Sequence, residues 1–210
     1  ITYDPTTSTT IQSLTSGQRT TDSFTYTITD VGGLSDTATV TFNIQGQDDD
    51  VAARADELSF TEDADGTGSV FADNGNGPDS DPEGDALTVV QVNGSAAQVG
   101  VAFFIAGGGR LTIEADGEVV FEENGAYQTL GEGQSQVITA DYTVQEAGGG
   151  LTAGADVTIT VNGANDLPTA RDDNASTDFG VATGPIMVRA NDFDIDGAGQ
   201  WPVDLTGAGP

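Results

Sequence analysis

Asp192, Asp194 and Asp196 occupy alternate positions of "NDFDIDG" (191–197), and "DSDPEGD" (79–85) spaces Asp79, Asp81, Glu83 and Asp85 in the same way. Carboxylates on alternate loop residues are hard oxygen ligands, and glycine lets the backbone curl so that several oxygens converge on one ion. Ca2+ would supply the positive charge that makes such crowding favourable. An EF-hand loop opens with the same spelling but requires glutamate at its twelfth position and a helix on each side. Counting from Asp192 that position is Val203, and from Asp79 it is Val90, so the EF-hand is excluded. Solvated acidic turns are the plain alternative, because Asp and Gly are common in turns. Position favours the ion: "QDDD" (47–50) and "GAND" (163–166) each precede one of the acidic loops. A linker and a loop folded back upon it could share one cation.

Composition narrows the partners. The 210 residues carry 34 Asp plus Glu against five Lys plus Arg, a net charge of −29. Nucleic acid and anionic membrane surfaces would be repelled, whereas cations would be drawn in. With no Cys and no His, disulfides, thiolate chemistry, the usual zinc ligand sets and His-based triads are all absent. No apolar run is long enough to insert into a membrane as a helix. No signal peptide begins at Ile1, and the chain opens inside a strand-like pattern and stops at "TGAGP", which predicts a segment of something longer.

The elements that must position these loops repeat. "YTITDVGGLSDTATVTFNIQGQDD" (26–49) matches "YTVQEAGGGLTAGADVTITVNGAND" (142–166), with Leu151 meeting Leu34 after one inserted glycine. Gly46 meets Gly163, Asp49 meets Asp166, Arg54 meets Arg171, and upstream Leu14 and Gln18 meet Leu130 and Gln134. Self-similarity at a fixed period marks a repeat architecture. The expected organisation is the C-terminal part of one unit over 1–49, a complete unit over 50–166, and the N-terminal part of another over 167–210.

Strand periodicity dominates. "FTYTIT" (24–29), "ATVTFNI" (38–44) and "DVTITV" (156–161) alternate apolar residues with Thr. "LTIEADGEVVFE" (111–122) predicts a hairpin turning at Asp116-Gly117. "LTVVQV" (87–92) adds a strand, and "VAFFIA" (101–106), apolar on both faces, predicts a central one. About seven or eight short strands in a unit of this size predict an all-β, antiparallel, immunoglobulin-like sandwich.

"DSFTYTITDVGGLSDTATVTFNIQGQDD", "GANDLPTARDD", "ANDFDID" and "DSDPEGDALTV" resemble the cadherin-like and VCBS-type tandem repeats of large bacterial surface proteins. Those proteins are typically adhesins exported by type I secretion, the RTX adhesins among them. The resemblance covers nearly the whole chain. It implies tandem immunoglobulin-like, cadherin-like antiparallel β-sandwich repeats with Ca2+ stiffening their junctions. Carried over by position, it gives Asp48, Asp49, Asp79, Asp81, Glu83 and Asp85 to the first junction. The second receives Asn165, Asp166, Asp192, Asp194 and Asp196, and Glu62 of "FTEDADG" matches the acidic residue ending the first strand. Two departures bear on the first junction. Val51 stands where the linker pattern has proline, and "FADNGNGPDSD" is longer than "RANDFD".

The remaining features favour structure over chemistry. Phe24, Tyr26, Phe121 and Tyr142 alternate with polar residues, as core residues do, and Trp201, beside Pro202, is also expected to pack in a core. "AGGGR" (106–110) lacks the lysine of a phosphate loop and predicts a flexible turn. Arg54 and Arg171 are expected to pair with nearby carboxylates. Any acid pair chosen from 34 for glycosidase chemistry is uninformative, so no enzyme is expected. The function expected is a calcium-rigidified extender of a secreted or cell-surface bacterial adhesin, partnered by neighbouring repeats, projecting a distal domain for attachment and biofilm formation. The alternative is a cadherin-like, calcium-dependent lectin module that binds cell-surface polysaccharide. A purely halophilic acidity would instead predict stabilisation by any salt at molar concentration.

Overall fold

The computed structural model describes residues 2–197. Trp201 and Pro202 lie outside the described residues. A short helix, α1 (Thr9–Gln12), precedes the hairpin of β1 (Arg19–Thr29) and β2 (Ser35–Gln45). Eight strands come after it: β3 (Asp56–Thr61), β4 (Gly66–Ser69), β5 (Leu87–Val92), β6 (Phe103–Phe104), β7 (Arg110–Ile113), β8 (Glu118–Glu122), β9 (Ser135–Glu146) and β10 (Thr152–Asn162).

These eight form two four-stranded sheets, ordered β3-β10-β9-β5 and β4-β8-β7-β6. The inward positions of both are apolar: Ile138, Ala140, Tyr142 and Val144 on β9, Val157, Ile159 and Val161 on β10, and Leu111, Ile113, Val119 and Phe121 on the facing sheet are all buried. Phe60 of β3 stacks on Phe121 of β8 with ring centroids 5.1 Å apart, which joins the layers directly. The hairpin expected at Asp116-Gly117 forms, with Gly117 at φ 84° and its N–H donated to the Glu114 carbonyl at 3.0 Å.

Three features differ from the sequence reading. β3 runs parallel to β10 (Asp56 beside Val157, Thr61 beside Asn162), whereas the other pairings are antiparallel. The stretch 101–106 is no central strand. It yields the two-residue β6 at a sheet edge, with Phe104 78% exposed, because apolar content without alternation does not say which edge is free. Tyr26 is 43% exposed, although its repeat partner Tyr142 is 1% exposed, because β1 and β2 pair with each other and with no other described strand.

The repeat is nonetheless visible in atomic detail. Gly46 donates its N–H to the Gln18 carbonyl and Gly163 to that of Gln134, both at 2.9 Å. A Cβ at Gly46 would fall 2.4 Å from the Leu14 carbonyl oxygen, and one at Gly163 would fall 2.1 Å from that of Leu130. Backbone approaching backbone leaves no room for any side chain. Gly163→Ala should therefore cost on the order of 3 kcal/mol, the upper range for overpacking, measured as a shift of the denaturant midpoint. An unshifted midpoint would mean that the close approach is not maintained.

Candidate metal centres

The inward face of β3 continues beyond the strand. Asp56, Leu58, Phe60 and Glu62 alternate, and the two acids at its ends are 1% and 0% exposed. On β9 the inward series 138, 140, 142, 144 likewise ends on Glu146, 5% exposed. Strand polarity sends Glu62 to one end of the sandwich and Glu146 to the other, so each end carries a buried carboxylate that the strand period itself delivers.

At the end leading into residue 167, Glu62, Asp166 and Asp196 converge, with one oxygen of each mutually within 4.8 Å. Glu62 Oε1 accepts the Ala164 N–H at 2.6 Å and Asp196 Oδ2 accepts the Asp166 N–H at 2.7 Å. Glu62 Oε2, Asp166 Oδ2 and Asp196 Oδ1 are buried with no hydrogen-bond donor. Burial raises the pKa of Glu62, and the charges of Asp166, Asp63 and Asp196 add to the effect. Asp166 is raised in the same way, by desolvation first and then by Asp196, Asp63 and Asp194.

At the opposite end Asp81, Asp85 and Glu146 converge within the same span. Asp81 Oδ1 accepts the N–H groups of Glu83 and Asp85 at 2.9 and 3.3 Å, an Asx turn that shapes the loop. Asp194 does the same for Asp196 at 3.1 Å. Asp81 Oδ2, both Glu83 oxygens and Glu146 Oε2 are buried without a well-formed hydrogen bond. Burial raises the Glu83 pKa, reinforced by the Asp81 and Asp49 charges and partly offset by the Asp49 backbone N–H. Across both ends, seven buried carboxylate oxygens lack a well-formed hydrogen bond among the described residues. An orphaned buried anion is costly, and converging orphans fit the oxygen cage of a hard divalent cation.

The first acid of each loop accepts a backbone N–H from the segment after the linker. Asp79 Oδ1 accepts the Arg54 N–H at 2.6 Å, and Asp192 Oδ1 accepts the Arg171 N–H at 2.7 Å. Beside them, Ala52 pairs with Ser80 and Thr169 with Phe193 in isolated antiparallel bridges. Each linker is thus fastened to its acidic loop by the same backbone pattern. Among the described residues the side chains of Arg54 and Arg171 make no salt bridge. Arg54 donates to the Asn76 carbonyl at 3.4 Å, and Arg171 lies over the Phe193 ring at 5.1 Å. Burial raises the Asp79 pKa, and the Arg54 charge offsets only part of that rise. Val51 is buried at 6% exposure, and the longer first loop ties itself down through Asn74 to Asp56 and through Asn76 to the Ala55 carbonyl. Asp48 and Asn165 are exposed, and Asp48 joins neither carboxylate cluster.

Glu146 escaped the sequence reading because it lies in no D-x-D loop. Its signal was in the repeat: Asp30 occupies the matching position. Asp30 Oδ1 accepts the Leu34 N–H at 2.9 Å, and Glu146 Oε1 accepts the Leu151 N–H at 2.6 Å. The glycine inserted before Leu151 lengthens the turn to suit the extra methylene of glutamate. "AGGGR" is the turn between β6 and β7, and Tyr127 packs on it, donating its hydroxyl to the Ala106 carbonyl at 2.7 Å.

Two stacked sheets with acidic ends define an immunoglobulin-like sandwich. Residues 47–160 match the bacterial Ig domain family, and the chain belongs to it. Among solved structures it is similar to mouse clustered PcdhgC3 EC1-3, at 14% identity and a TM-score of 0.33, over 70% of this chain and 43% of that one. It is also similar to human Protocadherin-24 EC1-2, at 12% identity and a TM-score of 0.32, over 70% of this chain and 67% of that one. The chain thus spans less than half of the first of these. No curated protein matches the sequence. No helix among the described residues is long and apolar enough to cross a membrane.

Proposed function

We propose that this chain is a calcium-stiffened spacer of a bacterial surface or secreted adhesin, non-enzymatic, whose repeats hold a distal domain away from the cell. The observation that carries this reading is the set of seven buried carboxylate oxygens without a well-formed hydrogen bond, divided between the two ends of one sandwich. At the end towards residue 167, Glu62 comes from the sandwich, Asp166 from the linker, and Asp196 from the next loop, with Asp194 and Asp63 close by. At the other end Asp81, Asp85 and Glu146 hold one ion, with Glu83 of the same loop and Asp49 of the linker near one another beside Asp81. Asp79 and Asp192 act as fasteners of the linker. Without cations the like charges push linker and loop apart; with Ca2+ they become one rigid joint.

Calorimetric titration of the chelator-treated chain tests the reading. It should take up more than one Ca2+ per chain, and Mg2+ should bind poorly, because Mg2+ demands tight octahedral geometry and keeps its waters. Absence of calcium uptake by folded protein would end it.

A further inference from the structure

We propose that the Tyr142 hydroxyl is a positioning group for the 79–85 loop, holding that loop in its cation-binding shape from inside the sandwich core. The inference rests on the calcium reading and adds a residue that belongs to no acidic motif. Tyr142 is 1% exposed, at an inward position of β9 between Ala140 and Val144. Its oxygen lies 2.9 Å from the Arg54 carbonyl, 2.8 Å from Asp56 Oδ2 and 2.9 Å from Asp79 Oδ2. One phenol, with a single proton to donate, thus stands within hydrogen-bond distance of the segment after the linker, the start of β3 and the first residue of the acidic loop.

The loop side of this contact matters most. Asp79 uses its other oxygen for the Arg54 N–H. Two residues later Asp81 begins the turn whose carboxylates converge with Asp85 and Glu146. Glu146 stands on the same strand and the same inward face as Tyr142. β9 thus contributes a ligand from its end and, four residues earlier, the anchor of the opposing loop. A loop bearing Asp79, Asp81, Glu83 and Asp85 has every electrostatic reason to open outward when no cation holds it. A fixed anchor at Asp79 limits that motion and lowers the ordering cost of binding. Partners that orient metal ligands typically govern about 10–100-fold in affinity.

The test is a calorimetric Ca2+ titration of the full chain carrying Tyr142→Phe, beside Tyr127→Phe. Tyr127 also loses a core hydroxyl bond in that change, the one to Ala106, but touches no acidic loop. Tyr142→Phe should weaken one class of calcium sites about tenfold and leave the class containing Glu62, Asp166 and Asp196 unchanged. Tyr127→Phe should lower stability without weakening either class. Equal calcium affinities for Tyr142→Phe and the unaltered chain would overturn the positioning role while leaving the calcium reading intact. Failure of the unaltered chain to bind Ca2+ would overturn both. Should Tyr142→Phe not fold, Asp79→Ala removes the anchored carboxylate from the loop side, and unchanged affinity in that variant would be equally contrary.

Discussion

In the presence of chelator, the melting temperature of this protein should fall as pH rises from about 5 to about 8, and calcium should restore the lost stability. Asp56, Glu62, Asp79, Glu83 and Asp166 all have pKa values raised in the fold, burial being the leading cause in each. A carboxyl whose folded pKa lies above its unfolded value binds its proton more tightly in the native state. Its stabilising contribution is therefore complete below the ordinary carboxylate range, near about 4, and is lost as pH rises through the folded value. This is the reverse of an acidic protein held by salt bridges; the Arg110–Glu122 pair, at 3.9 Å, lies on the surface. A bound Ca2+ replaces the protons. Two ions, each at about a hundred times its dissociation constant, would add about 5 kcal/mol together, on the order of 20 °C for a domain of this size. Thermal melts at both pH values, with and without calcium, measure it. Apo stability that climbs with pH would show the buried acids to be satisfied already.

Glu62→Gln should change sign with calcium. Without the ion, glutamine keeps an oxygen for the Ala164 N–H and places an amide donor beside Asp166 and Asp196, whose facing oxygens have none. Removing a buried charge and supplying a donor should raise the apo melting temperature by about 5 °C, the scale of a gain of about 1 kcal/mol. In calcium the same change removes a ligand, and affinity at that end should fall on the order of a hundredfold, taking about 2.7 kcal/mol of mass-action stabilisation with it. The variant should then melt below the unaltered protein. Destabilisation of equal size in both conditions would make Glu62 an ordinary structural acid.

Much of this architecture was legible in alternation. The Thr-rich strands β1, β2 and β10 and the turn at Asp116-Gly117 lie where their periods and turn chemistry put them, and on β10 the period two is that of one buried face. β6 failed because an apolar run states burial but not neighbours, and the edge it occupies is decided by how the sheets close. The parallel pairing of β3 with β10 sets Ser59 beside Thr160, nearly the whole unit apart in sequence, a separation at which local pattern is silent. The acidic loops announced themselves through spacing. Spacing could not reveal the division of labour within them: Asp79 and Asp192 spend oxygens on backbone N–H groups of the linker, whereas Asp81 and Asp196 each leave one oxygen bare. Glu146 was legible in the repeat, opposite Asp30, and by tracing the inward face of β9 to its end, where an acid occupies a position of the core series.

If Ca2+ joins the sandwich to the segment beyond residue 166, the distance between spin labels on the two should report it. The chain has no cysteine, so Gln91→Cys at an exposed position of β5 and Ala170→Cys beyond the linker, introduced together, supply the labelling sites. In chelator the distance distribution between the labels should be broad. Calcium should collapse it to a narrow peak, magnesium should not, and Asp194→Asn should restore much of the breadth without unfolding the sandwich. A distribution of the same width with and without calcium would contradict the account, leaving the acidic loops as solvated turns on an otherwise ordinary sandwich.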